Sequence, residues 1–352
     1  MKAIAFYLPQ YHVIPENEAI YGKGFTEWDN VRAARPLFAG HEQPQLPHPS
    51  VGFYDLLDES FLVRQHALAY QFGVTGFCYY YYNIAGRRLL EKPLEIILRS
   101  GDIRNDFCLC WAHVSWYDNR RGRQAVFLPQ VYDAAQAVRL AEDLLPYFEH
   151  PRHLTVEGKP LFLFWAPERL PHVRLYADTL REAAHKRGFP GVFLLGVEAY
   201  AASHPDQWGL DGMLEFAPDW RPENQVSGPD EQPRRMDYAR TLQFMCGKPV
   251  PPYLRLRSTF PGWDNTPRRG RNGLACVGAS PELFRESLTF LAAYTRRILP
   301  PALQYVFINA WNEWGEGCHI EPDARHGFAY LRAVMSALAQ AEAMPAPAVS
   351  CR

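Results

Sequence analysis

The chain has 352 residues, enough for one large domain or two ordinary ones, and 47% apolar residues supply a substantial core. Charged residues make up only 21% and the formal net charge is −1 at pH 7, so neither a nucleic acid nor an anionic membrane surface has an electrostatic footprint to bind. Aromatic residues reach 14%, and a glycan-lined cleft is a natural home for what a core does not use.

In chain order, short apolar runs alternate with longer amphipathic ones. Continuous apolar runs, the pattern of parallel strands buried on both faces, predict strands at Ala3–Leu8, Val74–Tyr80, Phe107–Ala112, Pro160–Trp165, Val192–Val197, Gly212–Glu215, Tyr253–Ser258 and Gln304–Ala310. Helical periodicity predicts helices near Leu56–Phe72, Leu89–Ser100, Tyr132–Phe148, Val173–Arg187, Met236–Met245, Pro281–Ile298 and Gly327–Ala341. Between the fifth and sixth strands only a short helix near Ala201–Trp208 is expected. This alternation predicts an α/β fold, a (β/α)8 TIM barrel with long βα-loop insertions. An open doubly wound sheet is the alternative, and no GxGxxG or phosphate-loop motif supports it. The reading is a single barrel domain over residues 1–345, with a disordered tail at 346–352. The insertion from Tyr11 to about Pro49 walls one side of the cleft, and within it His41 and His48 read as solvated.

Functional residues of such a barrel collect just after the strand ends. The first strand carries Tyr7 and leads to Gln10 and His12, then to Glu27 and Trp28 in a Gly-flanked loop. Glu27 could bind a sugar hydroxyl while the indole stacks; a loop anchored by a buried Trp is the alternative. The second strand runs into Tyr79–Tyr82, of which Tyr81 or Tyr82 should present its hydroxyl to substrate. Trp111, His113 and Trp116 follow the third strand as a stacking wall, although His12 and His113 could equally be structural. Glu198 follows the fifth strand, either on a ring hydroxyl or in an ion pair. Trp263, Asp264 and Arg268 follow the seventh, where the last two could orient a hydroxyl or an acidic sugar substituent. The alternative for Arg268 is a solvated basic loop with Arg269 and Arg271.

The eighth strand ends in Trp311, Asn312, Glu313, Trp314, Gly315 and Glu316, the most telling segment. Two acids three residues apart share a face of a helical turn, or point from a tight loop into one cavity. Close carboxyls in a low-dielectric setting push one pKa up, leaving one acid and one base, as glycoside cleavage needs. Helix capping by the same residues is the plainer alternative. The flanking Trp and Gly at a strand end favour catalysis, since indoles pack on the apolar face of a sugar.

No His, Cys or carboxylate set stands at metal-ligand spacing, so no metal and no cofactor is expected. Seven cysteines, with Cys108 and Cys110 on one face of a strand, read as reduced thiols and favour the cytoplasm. The opening run Met1–Pro9 is too short for a signal h-region, and no stretch approaches the roughly 20 apolar residues of a membrane span.

Together, Phe6–His12, Gly24–Trp28, Gly76–Tyr82 and Trp311–Glu316 resemble the bacterial WbsX-type family over nearly the whole chain. Those proteins accompany surface-polysaccharide (O-antigen) genes and are commonly labelled glycosyltransferases. Asn312–Gly317 with Ile320-Glu321-Pro322, and the stretch from Trp263 to Arg268, are also remotely similar to glycoside hydrolase family 99, the endo-α-mannosidases and endo-α-mannanases. That likeness implies a retaining mechanism in which one Glu is the base on the sugar 2-hydroxyl, giving a 1,2-anhydro sugar, and the other is the general acid/base. By position these are Glu313 and Glu316. Family 99 usually has His where this chain has Gly315. The expected function is a retaining glycoside hydrolase on α-linked, mannose-like glycans of bacterial surface polysaccharide, with an oligosaccharide or polysaccharide as its partner and no protein partner indicated. The alternatives are a glycosyltransferase of polysaccharide biosynthesis, for which no Asp-x-Asp motif is present, and a non-catalytic glycan-binding protein.

Overall fold

The computed structural model describes residues 1–118, 125–200, 204–228 and 230–344. Eight parallel strands form a closed barrel: β1 (Lys2–Tyr7), β2 (Val74–Ile84), β3 (Asp106–Trp111), β4 (Lys159–Trp165), β5 (Phe193–Glu198), β6 (Gly212–Glu215), β7 (Arg255–Thr259) and β8 (Tyr305–Ile308). Each pairs with its sequence neighbour, and β1 closes the ring by pairing with both β2 and β8. Between strands run α1 (Glu59–Gln71), α2 (Lys92–Arg99), α3 (Ala134–Phe148), α4 (Val173–Lys186), α5 (Tyr238–Cys246) and α6 (Pro281–Ile298), and α7 (Ala329–Ala343) follows β8. Asp58, Asp133, Asp237 and Ser280 cap α1, α3, α5 and α6 by accepting a backbone N–H in the first turn.

Side-chain alternation splits each strand between two cores. Ile4, Phe6, Cys78, Cys110, Leu163 and Phe307 fill the barrel interior. Tyr7, Phe77, Tyr79, Tyr81, Leu109 and Trp111 pack outward against the helices. Gly76, level with Ile4, leaves room for that side chain: a Cβ there would lie 2.6 Å from the Ile4 Cδ1 atom.

Two differences from the expected elements bear on the site. β2 runs on to Ile84 and turns back as a hairpin with Arg87–Leu89, so all four tyrosines lie within one strand. Between β5 and β6 the described residues form only a 3-10 turn at Pro205–Trp208; residues 201–203 of the expected helix lie outside the described residues, as does the expected tail at 346–352. The outer faces of β6 and β7 instead carry the buried Glu215–Arg257 ion pair, which Lys248 joins. The six cysteines among the described residues are all free. Among those residues no helix is long and apolar enough to cross a membrane.

Candidate active site

Beyond β8 the chain makes a miniature hairpin. Asn312–Glu313 pairs antiparallel with Cys318–His319, and Trp314–Glu316 form one 3-10 turn closed by Gly317 at φ 55°. Side chains three apart eclipse in a 3-10 turn, which is why Glu313 and Glu316 emerge together. The hairpin is tied to the first strand end. Asn312 Oδ1 accepts from the Leu8 backbone N–H at 2.8 Å and its Nδ2 donates to the Leu8 carbonyl at 3.0 Å. The Tyr11 hydroxyl donates to the Asn312 carbonyl at 2.6 Å and accepts from Trp314 N–H at 3.1 Å.

The front of the hairpin faces Arg268, carried by the short helix Thr266–Arg269 after β7. Its Nε donates to Glu27 at 2.6 Å, Nη2 to Glu313 at 2.8 Å and Nη1 to Glu316 at 2.8 Å. Three carboxylates therefore share one guanidinium. Burial, aided by the neighbouring charges of Glu316 and Glu27, pushes Glu313 up to about 8 despite Arg268. Burial also raises Glu316, whose side chain is 23% exposed. Both carboxyls therefore lie above their ordinary range, and they are close enough for the charge on one to disfavour a charge on the other.

Glu27 reaches this cluster from the insertion after β1. Thr26 caps the helix Glu27–Ala33 in a capping box with Asp29, and the Trp28 indole donates to the Tyr54 carbonyl at 2.8 Å. An added Cβ at Gly315 would lie 2.0 Å from Glu27 Oε1, so the glycine is what admits this carboxylate.

Behind the hairpin stands a second buried acid. Glu321 accepts from the Trp314 indole at 2.8 Å, from the Tyr54 hydroxyl at 2.9 Å and from Gln65 at 2.6 Å. Burial pushes its carboxyl up to about 7, with these donors pulling the other way.

Across the mouth, Tyr80 meets Trp165 edge-on at 6.0 Å, Trp165 meets Phe216 at 4.7 Å, and Trp220 meets Trp263 at 4.7 Å. Gln10 donates to the Tyr82 hydroxyl at 3.2 Å. Burial, followed by the charge on Glu313, raises the phenols of Tyr80 and Tyr82. A cavity of about 480 Å³ lined by Gln10, Glu27, Trp116 and Arg268 opens beside the guanidinium; Glu27 lines it, whereas Glu313 and Glu316 reach its edge only through their shared Arg268. Another of about 320 Å³ is lined by His41, Trp263, Asp264, Gly317 and His319.

Several expected site residues lie elsewhere. Tyr7, Tyr81 and Trp111 have outward parity: Tyr7 donates to Gln65, Tyr81 packs on Tyr147, and the Trp111 indole donates to the Asn83 carbonyl. Glu198 also points outward and accepts from Tyr253 at 2.6 Å, its carboxyl raised by burial. Trp28, Trp311 and Trp314 are buried and offer no ring to a sugar: Trp28 packs on Tyr11, Trp311 on Phe77 and Trp314 on His319. His113 is buried with Nε2 at 2.7 Å from the Trp165 carbonyl and is lowered to about 4 by burial. His12 is buried too, with its imidazole lowered by burial. His41, expected in solvent, instead lies 2.6 Å from Asp264. Burial would raise Asp264, and bonds from His41, Thr266 and Gln43 outweigh it and lower its carboxyl. Arg269 and Arg271 are exposed, whereas Arg268 is held by the three acids.

The mouth aromatics that the sequence did not single out are Tyr80 and Trp220. Two-residue alternation groups Gly76, Cys78, Tyr80 and Tyr82 on one face, but nothing local says that this face is the inner one. Among the described residues no group of three or more His, Cys, Asp or Glu could hold a metal ion.

The chain is a closed parallel (β/α)8 barrel with polar and aromatic side chains at its C-terminal mouth, a fold it shares with solved glycoside-hydrolase-like structures. The GH99 endo-α-mannosidase of Bacteroides thetaiotaomicron superposes with a TM-score of 0.62 at 15% identity, covering 97% of both chains. A structure described as a glycoside hydrolase-like protein gives a TM-score of 0.61 at 12% identity, covering 96% of this chain and 93% of that one. At such identities the likeness is one of fold. The chain belongs to the family described as Glycosyltransferase WbsX, whose model matches residues 3–334. Proteins named WxcX, described as uncharacterized, from two strains of Xanthomonas campestris pv. campestris are 37% identical over 345 residues, 96% of this chain. The chain spans about half the length of these curated relatives.

Proposed function

We propose that the protein is a retaining glycoside hydrolase acting on α-linked, mannose-like glycans of bacterial surface polysaccharide. The observation that carries this reading is the Glu313–Glu316 pair on one turn, both held by Arg268 beside an open cavity. Arg268 engages Oε2 of Glu313 and Oε1 of Glu316, so the second oxygen of each acid stays outside those ion pairs and can address a sugar.

In the proposed reaction Glu313 takes the proton of the sugar 2-hydroxyl as O2 attacks the anomeric carbon. Glu316 protonates the departing glycosidic oxygen, the bond to the leaving group breaks, and a 1,2-anhydro sugar results. Water then attacks the anomeric carbon and gives a proton to Glu316, while the bond from that carbon to O2 breaks and O2 recovers a proton from Glu313. With its carboxyl pushed up to about 8, Glu313 must be unloaded as the sugar enters. Tyr80, Tyr82, Gln10 and Trp116 are the proposed sugar contacts.

The test is release of oligosaccharide from a panel of α-linked glycans with no nucleotide sugar present. Glu316→Gln should be rescued by an activated aryl leaving group, and Glu313→Gln should not. A panel that yields no product sinks the reading. Glycosyl transfer in polysaccharide assembly is the second reading, favoured by the description of the matching family. Three carboxylates around one guanidinium make the site a poor host for a diphosphate. Calorimetric binding of a nucleotide sugar would restore it.

A further inference from the structure

The Arg268 guanidinium is divided in an unusual way. Arginine commonly meets a carboxylate with two parallel N–H bonds. Here each of its three nitrogens serves a different acid, at 2.6 Å for Glu27 and 2.8 Å for each of Glu313 and Glu316. Glu27 is the member that takes no part in the proposed chemistry, and it is held firmly. It begins a capped helix, its backbone N–H donates to the Gln10 carbonyl at 3.3 Å, and Asn30 donates to its Oε1 at 3.3 Å. The space it fills exists because residue 315 has no Cβ: such an atom would lie 2.0 Å from Glu27 Oε1 and 2.8 Å from Arg268 Nε.

We propose that Glu27 is a positioning residue which, by occupying one edge of Arg268, fixes how much positive charge is left for Glu313 and Glu316 and so sets the pH at which the pair exchanges its proton. The proposal rests on the reading of that pair as the working acids. The groups facing them leave few other sources of charge. Tyr11, Tyr80, Tyr82 and Cys318 surround Glu313, and burial raises all four, so they stay neutral where carboxylates titrate. Arg269 adds positive charge near Glu316 but is exposed and screened. The sign follows directly. Glu27 repels a charge on Glu313 and also competes for the cation that would stabilise it, so both effects favour the protonated form. Removing the charge of Glu27 must lower the pH at which Glu313 ionises, and removing Arg268 must raise it.

The test is a pH titration by NMR of the whole chain with 13C-labelled Glu carboxyls, the Glu313 signal being assigned by its loss in Glu313→Gln. Glu27→Gln should shift the Glu313 midpoint down by about one pH unit, and Arg268→Gln should shift it up by at least as much. If Glu27→Gln does not fold, Glu27→Ala, which removes the same charge without leaving an amide against Arg268, should give the same downward shift. An unmoved midpoint in a folded Glu27→Gln or Glu27→Ala protein overturns the proposal and leaves Glu27 as a loop anchor. The readout needs no substrate. Shifted midpoints in a protein that cleaves no glycan would keep the charge arrangement and remove the hydrolase.

Discussion

The two sides of the β8 hairpin solve the problem of a buried carboxylate in opposite ways. In front, three acids surround one permanent cation; behind, one acid is surrounded by neutral donors from Trp314, Tyr54 and Gln65. Neutral donors satisfy lone pairs without supplying charge, so Glu321 behaves as a scaffold element that must accept hydrogen bonds. A shared guanidinium supplies charge that can be redistributed, so the front can change protonation while the chain stays in place. The back holds the hairpin, and the front keeps its charge adjustable.

The largest expected effect falls on the front and on rate alone. Glu313→Gln or Glu316→Gln should lower turnover of an unactivated α-linked substrate by about 10²–10⁴-fold, with a melting temperature close to that of the unaltered protein. The back should show the reverse. Glu321→Leu strands three buried donors and should cost about 3–5 kcal/mol in urea unfolding. A front-face stability loss of that size, or a Glu321→Leu protein of normal stability, would erase the contrast.

Gly315→Ala probes the boundary between the two sides. The methyl meets the Glu27–Arg268 pair and should cost about 1–3 kcal/mol by overpacking, measured by the same unfolding. The smallest effect is in pH. Glu321 and Glu313 bind a proton more tightly when folded, so their contribution to stability is complete below the ordinary Glu value of 4.5. It declines as pH rises, through about 7 for Glu321 and about 8 for Glu313. Each contributes a slope of at most about 1.4 kcal/mol per pH unit. Glu321→Gln should flatten the lower part of that decline in chemical unfolding followed from pH 5 to 9.

The strand pattern made the barrel legible because strands covered on both faces must be apolar throughout, and the acid pair was legible because it is local. What escaped was relational. Arg268 meets Glu27 across 241 positions of sequence, so its three partners could not be read from its own loop. The four consecutive tyrosines fixed their alternation but not its phase, which only the closed sheet decides, so of Tyr81 and Tyr82 only Tyr82 shares the inner face with Tyr80. Tryptophans beside the acids suggested sugar stacking, yet burying a large apolar ring is strongly favourable, and Trp311 and Trp314 became the hairpin's support. His41 sits in a Pro-rich insertion with nothing nearby to betray Asp264.

The bonds from Asn312 to Leu8 join residues 304 positions apart and lock the acid-bearing turn onto the barrel's opening strand. A growing chain therefore leaves this turn with no frame to rest on until β1 and β8 have met and the ring is sealed. Loop closure over that span is slow compared with local helix formation. A reporter of sugar binding should accordingly come up last during refolding, after helical content has returned.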